Sequence, residues 1–438
     1  MTTRLVVRGG VVVGPKTVAP ADVVIEGGRI TAVGENLDVP SRSRVVDASG
    51  CWVGPGFVDI HTHLREPSVN ECDTIESGAR AGAIGGYCAL VAMPNTEPAL
   101  DSAALVAYVL QLGARTPLDV AVAGAITKGR LGESLAPMAE MAALGVRLFT
   151  DDGRAVDDPS VMRRALTYAK PLGVRLAQHC EDERLAGGGA MNEGALSSRL
   201  GLVGRPALAE ELMVMRDIEL AALTGGSVHF MHLTTARSMD LLRAARARGL
   251  DVTAEVTAHH VTLDESLCEG FDPIYKVHPP LRTVADVAAL RRALVDGTVD
   301  AVATDHAPHS PESKDLPFDE APPGMLGLEH AAALVYEALG GGDCDPRRFF
   351  DLLSRAPARI AQLRSSDQPV GLSGHGSDVL VGDDANLVIF DPSSQWRINR
   401  DALHSRTANT PYHERLVIGR VRATIAKGHL VVEDGELT

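Results

Sequence analysis

A chain of 438 residues exceeds what one ordinary core supports, so one large domain with a smaller companion is expected. Its 45% hydrophobic and 23% charged residues are those of a soluble globular protein, and no run approaches eighteen uninterrupted apolar residues, which argues against a membrane span. The net charge of −15 argues against a nucleic-acid surface, and it means that an anionic ligand must be held by local positive charge.

The N-terminus runs from Met1 directly into strand-like sequence, which speaks against a signal peptide. Segments 3–13 and 23–33 read as short strands joined by a Pro/Gly turn region, and 45–47 begins another extended piece. Residues 53–65, VGPGFVDIHTHLR, then read as a buried strand that ends in two histidines. Side chains alternate faces along a strand, so His61 and His63 project to one side about 7 Å apart, which suits a divalent metal. Arg65 is next in that series and can hold an anionic substrate beside the metal. A bare His-x-His is more often structural than ligating, so the case for a metal rests on the strand ends further along the chain.

From residue 57, apolar runs of strand length alternate with Ala/Leu/Arg-rich helical patterns. The runs are 57–63, 87–93, 119–126, 146–151, 174–179, 227–233, 252–258 and 300–304; the clearest helical patterns are 102–113, 159–170, 207–223, 236–248 and 284–295. Such alternation predicts a closed parallel (β/α)8 barrel of the TIM type, with its chemistry at the carboxyl ends of the strands. Segment 307–327, rich in Pro, Gly and acidic residues, reads as a functional loop over the barrel mouth. Helical patterns at 328–339 and 346–353 come next, then a Gly/Ser/Asp-rich linker at 365–384, then strand signals at 386–390, 417–425 and 430–433. The two ends of the chain resemble each other and differ from the middle. The expected architecture is therefore α/β, with a barrel over 56–365 and a small flanking β-sandwich domain built from 1–55 and 366–438. The six cysteines are scattered without a C-x-x-C pair, which fits a reduced, cytoplasmic setting.

Metal-capable side chains stand at five of the eight expected strand ends: His61 and His63, the pair Asp151-Asp152, His179, His232 and Asp305. Alternation sends Cys180 to the face opposite His179, and it fixes only that one of Asp151 and Asp152 points inward. Imidazoles and carboxylates together suit zinc, with manganese or cobalt as substitutes. Six candidate ligands exceed one tetrahedral site, which favours a two-metal centre with a bridging carboxylate.

These stretches, together with Met93-Pro94-Asn95-Thr96, His179-Cys180-Glu181-Asp182, Pro279-Pro280-Leu281-Arg282 and Thr304-Asp305-His306-Ala307-Pro308-His309, resemble the class I dihydroorotases of the amidohydrolase superfamily. The tract from His63 to Pro67 and the turn Asp151-Asp152-Gly153 are the most specific parts of the match. The resemblance implies His61 and His63 on the more buried zinc, His179 and His232 on the second, Asp152 as the bridge, and Asp305 as both ligand and proton shuttle. Hydantoinase-like relatives carry a carboxylated lysine at the end of strand four, where this chain has none. The implied reaction is the reversible cyclisation of N-carbamoyl-L-aspartate to L-dihydroorotate in pyrimidine biosynthesis. Arg65, Asn95 and His309 match the family residues that bind the substrate carboxylate, and Pro323 and Gly324 stand where the family touches the ring. His278 departs from the family, which has asparagine before Pro-Pro-Leu-Arg, and Pro323 replaces a larger apolar residue. His259 and His260 are expected to be hydrogen-bonded structural histidines. The alternatives are a hydantoinase or allantoinase, or a catalytically silent scaffold for aspartate transcarbamoylase. Besides the small-molecule substrate, the partners left open are a second copy of the chain and that transcarbamoylase.

Overall fold

Five strands open the chain: β1 (Leu5–Val13), β2 (Val18–Glu26), β3 (Arg29–Gly34), β4 (Arg44–Asp47) and β5 (Trp52–Pro55). The segment expected as one strand over 23–33 is instead a hairpin between β2 and β3. Gly27 and Gly28, with φ of 57° and 82°, form its turn, where Glu26 pairs with Arg29. Positive φ at both central residues gives the turn the twist that antiparallel strands require, and glycine reaches it without steric cost. The computed structural model describes residues 4–39, 42–68, 72–364, 372 and 374–438. Residue 3, most of the first half of the expected linker and the expected domain boundary at 365/366 lie outside the described residues.

The middle of the chain supplies β6 (Phe57–Thr62), β7 (Tyr87–Ala92), β8 (Asp119–Val122), β9 (Leu148–Phe149), β10 (Arg175–His179), the short pair β11 (Met191–Asn192) and β12 (Gly204–Arg205), then β13 (Val228–Met231), β14 (Val252–Thr257) and β15 (Ala301–Ala303). The eight expected runs all appear as strands, most of them shorter at their ends. They pair in parallel as β6-β7-β8 and as β9-β10-β13-β14-β15. Single parallel bridges join the two sheets at both seams, Gly124 to Phe149 and Thr62 to His306. Every residue of β6, β7 and β8 is buried, as expected of parallel strands covered on both faces.

Helices fill the intervals between these strands. Helix Pro159–Leu172 has its start and stop in the sequence: Asp158 accepts from the amides of Ser160 and Val161, Pro159 takes the first position, and Gly173 ends it at φ 64°. Helices Ala207–Thr224, Ala236–Ala247 and Val284–Asp296 lie where their patterns predict. Helix Ile75–Ile84, which the pattern does not single out, is small-residue-rich and closed at its N-terminus by a Thr74/Ser77 capping box. Among the described residues no helix is long and apolar enough to cross a membrane.

The C-terminal strands β16 (Leu387–Arg397), β17 (Leu416–Ala426), β18 (His429–Glu433) and β19 (Glu436–Leu437) join those of the N-terminus in one nine-stranded sheet, ordered β19-β18-β17-β16-β5-β1-β2-β3 with β4 on β1. Along the first part of β17, exposed and buried residues alternate, so that stretch keeps one face in water. An aromatic cluster fastens this sheet to the parallel set: Trp52 and Phe390 from the sheet meet Tyr336 and Phe349, and Phe349 also meets Phe57 of β6. A Cβ on Gly54 would lie 2.4 Å from the Phe350 ring, so the close approach of β5 to that cluster requires glycine.

Candidate metal centre and active-site pocket

The carboxyl ends of the parallel strands bring six side chains together. His61 Nε2 lies 3.4 Å from Asp152 Oδ1 and 3.5 Å from Asp305 Oδ1, and His63 Nε2 lies 3.5 Å from Asp152 Oδ2 and 2.9 Å from Asp305 Oδ1. On the other side of Asp152, Oδ1 stands 3.4 Å from His179 Nδ1 and 3.7 Å from His232 Nε2, and those two nitrogens are 2.9 Å apart. Donors each about 2.0–2.1 Å from a tetrahedral ion are separated by about 3.3 Å, close to most of these spacings. Asp152 reaches both histidine pairs. Asp151 faces away, accepting from the amides of Ile126 and Thr127 and from the Thr127 hydroxyl.

Three of the four imidazoles are aimed by a partner behind the ring. His61 Nδ1 bonds Glu255 Oε1 at 2.7 Å, which turns Nε2 to the cluster; the other Glu255 oxygen meets His229 Nε2 at 3.2 Å. His63 Nδ1 bonds Asn95 Oδ1 at 2.9 Å with the same effect. His179 presents Nδ1 because its Nε2 faces Glu181, 3.6 Å away, and Glu181 is paired with Arg205. Carboxylates behind the imidazoles fix the ring orientation and make the facing nitrogen a better ligand. After β13 the chain is pinned by buried Glu210, which accepts from the amides of Thr234 and Thr235. After β15 it is pinned by Asp59, which accepts from the amide and hydroxyl of Thr304. Arg65, His232 and Asp305 sit at φ of 67°, 34° and 47°. Non-glycine residues held there cost about 1–3 kcal/mol each and collect at functional sites.

Electrostatics point the same way. Burial works against the charged form of His61, yet Asp152 and Asp305 outweigh it and raise the imidazole well above its usual range. Burial likewise opposes ionisation of Asp152, but the imidazoles of His61, His179 and His232 around it hold it well below the carboxylate range. Two buried carboxylates thus demand positive charge among four imidazoles. His61 Nε2 and Asp152 Oδ1 are buried without a hydrogen-bond partner, and divalent cations answer both needs. The donor set therefore fits a metal centre.

The centre opens into a cavity of about 220 Å³ lined by Arg65, Asn95, His278, His309, Pro323 and Gly324 as well as by the cluster itself. Every residue expected to touch substrate lies on this wall. Arg65 is anchored through Nε and Nη2 to the Pro308 carbonyl. His309 donates from Nε2 to Pro323 O at 2.8 Å; burial, then Arg65, lowers it to about 3, so it is neutral. A Cβ on Gly324, whose φ is 134°, would meet His309 Nε2 at 2.9 Å. His278 has a buried Nε2 without a partner, and burial, followed by Arg205, lowers it to about 3. His260 is fully engaged, with Thr257 and Pro279 O, as expected of a structural histidine; His259 Nε2 has no such partner. Cys180 bonds Gln178 O, outside the cluster.

A family model described as Dihydro-orotase-like matches residues 50–238. Over its full length the chain is 44% identical to a dihydroorotase of Streptomyces coelicolor, with 100% of both chains covered, and it is 43% identical to one of Pelotomaculum thermopropionicum over 98% and 99%. The chain belongs to the dihydroorotase family. Its fold is also that of a D-hydantoinase (dihydropyrimidinase) from Thermus sp., with a TM-score of 0.82 at 27% identity over 99% of this chain and 96% of that one. The strand-end histidines can be read from the sequence, whereas most of the buried carboxylates behind them do not stand out in it. Glu255 is the readable case: a lone charge inside the apolar run VTAEVT of β14. His229, at the centre of β13, is another polar group on a wholly buried strand.

Proposed function

We propose that this member of the family is a class I dihydroorotase that holds two zinc ions, bridged by Asp152, and interconverts N-carbamoyl-L-aspartate and L-dihydroorotate in de novo pyrimidine biosynthesis. The observation that carries this reading is the reach of Asp152 to both histidine pairs, at the strand end where hydantoinase-like relatives have a carboxylated lysine. Arg65 on the cavity wall supplies the positive charge that the acidic chain as a whole lacks. The seam bridges support a closed (β/α)8 barrel over 56–365. A separate core from β1, β2, β3, β5, β16 and β17 supports a β-sandwich built from 1–55 and 366–438. Five of the six cysteines are buried and none forms a disulfide among the described residues, which fits a cytoplasmic location.

His61 and His63 would hold one ion and His179 and His232 the other, with Asp305 beside the first. Zinc in this set supplies Lewis acidity, which acidifies water and draws electron density from a carbonyl oxygen. In ring opening, Asp305 accepts the proton of the attacking water and returns it to the ring nitrogen as the C–N bond breaks; ring closure reverses both transfers. Arg65 pairs with the carboxylate that takes no part in the bond change. Asn95 spends Oδ1 on His63 and keeps its amide protons for the same carboxylate. His309 would join them by exchanging the Pro323 carbonyl for a substrate oxygen.

Steady-state assays with L-dihydroorotate, hydantoin and allantoin test the reading. The fold shared with the D-hydantoinase makes an uncharged ring the rival substrate. Preference for dihydroorotate is expected, and Arg65→Met should raise its KM by about tenfold to a hundredfold with little change in kcat. Preference for hydantoin, or an unchanged KM in the variant, contradicts the assignment.

A further inference from the structure

Two walls of the cavity come from different loops. Val277 and His278 lie after β14, whereas His309, Pro323 and Gly324 lie after β15. The loops are joined largely through main-chain oxygens. Gly324 N donates to Lys276 O at 2.9 Å. Lys314, the last residue of helix Pro311–Lys314, places Nζ 2.8 Å from Pro322 O, 3.1 Å from Pro273 O and 3.5 Å from Lys276 O. Lys276 reaches back, with Nζ 2.8 Å from Asp319 O.

An ammonium carries three protons on one centre, so a single side chain can serve carbonyls of both loops at once. Burying it has a cost: burial, then the neighbouring Lys276, lowers Lys314 to about 7 while Asp272 opposes them. A side chain placed against such a cost beside a binding cavity, with carbonyls of both cavity walls as its partners, suggests a role in shaping those walls.

We propose that Lys314 is a positioning residue for the substrate-binding face: by joining the loop after β14 to the loop after β15 it holds His278, Pro323 and Gly324 in one register and sets affinity for the ring. This inference rests on the reading of the cavity as the dihydroorotate site. Removing the donor frees the two loops to move apart, so binding weakens, while Asp305 and the metal ligands keep their geometry and the chemical step is spared.

The test uses the metal-loaded full chain as wild type, Lys314→Met, Lys314→Arg and Lys276→Met. KM and kcat for L-dihydroorotate are measured alongside hydrogen exchange of the amides from 309 to 326. Lys314→Met is expected to raise KM about tenfold with kcat within about twofold, and to speed exchange at Gly324. Lys276→Met should shift both in the same direction, and Lys314→Arg should recover most of the loss. Unchanged KM and exchange in Lys314→Met overturn the proposal, as does a fall in kcat at constant KM. A wild type that does not turn over dihydroorotate defeats the functional reading instead, and the exchange comparison then still decides whether Lys314 joins the loops.

Discussion

Asp305→Ala is expected to lower kcat about 10³-fold while most of the bound metal is retained. The retained metal is a consequence of the ligand count: His61, His63, Asp152, His179 and His232 still face one another at 3.4–3.7 Å through Asp152. The lost turnover comes from the proton. Asp305 is held below the carboxylate range because, although burial opposes its charge, His61 and His63 outweigh burial. A carboxylate kept ionised beside the reacting atoms can take a proton from water and return it to nitrogen. The neighbouring carboxylates are less free: Asp152 lies among four imidazoles, and Glu255 is committed to His61 and His229. Comparison of kcat with metal content by mass spectrometry separates the two roles. Near-normal turnover would remove Asp305 from the mechanism, and loss of metal in proportion to activity would reduce it to a ligand.

Asp152→Ala should have the larger effect on the metals themselves. The carboxylate lies within reach of both histidine pairs, so its removal takes a ligand from each proposed ion at once. From about two ions per wild-type chain the content should fall to one or fewer. Thermal unfolding gives an independent reading, because an ion bound only by the folded chain stabilises it by mass action. In the wild type a chelator should lower Tm and added zinc should restore it. In Asp152→Ala the restoration should be small. Full metal content and an undiminished zinc response in the variant would mean that the ions do not share this carboxylate.

The clustered side chains are legible in the sequence because strand ends can be read from apolar runs, and parallel strands that alternate with helices are expected to carry chemistry at only one end. That logic locates His61, His63, His179, His232 and Asp305 without knowledge of helix packing. It cannot choose between Asp151 and Asp152, since β9 contributes only Leu148 and Phe149 to the sheet and the chain turns immediately afterwards. The choice belongs to a neighbouring loop, where Ile126 and Thr127 capture Asp151. The segment 23–33 reads as one strand because its apolar residues run up to and away from two glycines, and a two-residue turn leaves little mark on such a pattern. Glu181 and Glu210 are hidden for a different reason, and so is the partner, though not the presence, of Glu255. Each acts through another residue, and nothing in local spacing ties Glu255 to His61, 194 positions away, or Glu210 to Thr234, 24 positions away. Lys314 is invisible in the same sense, since its partners are main-chain oxygens that carry no sequence signal.

Whether divalent ions sit between these side chains is measured directly by anomalous scattering at the zinc edge from crystals grown with L-dihydroorotate. Two peaks are expected, one against His61 and His63 and one against His179 and His232, with Asp152 between them and the substrate carboxylate on Arg65. A crystal supplied with zinc that shows no peak at Asp152, or ions bound elsewhere, would contradict the two-metal centre.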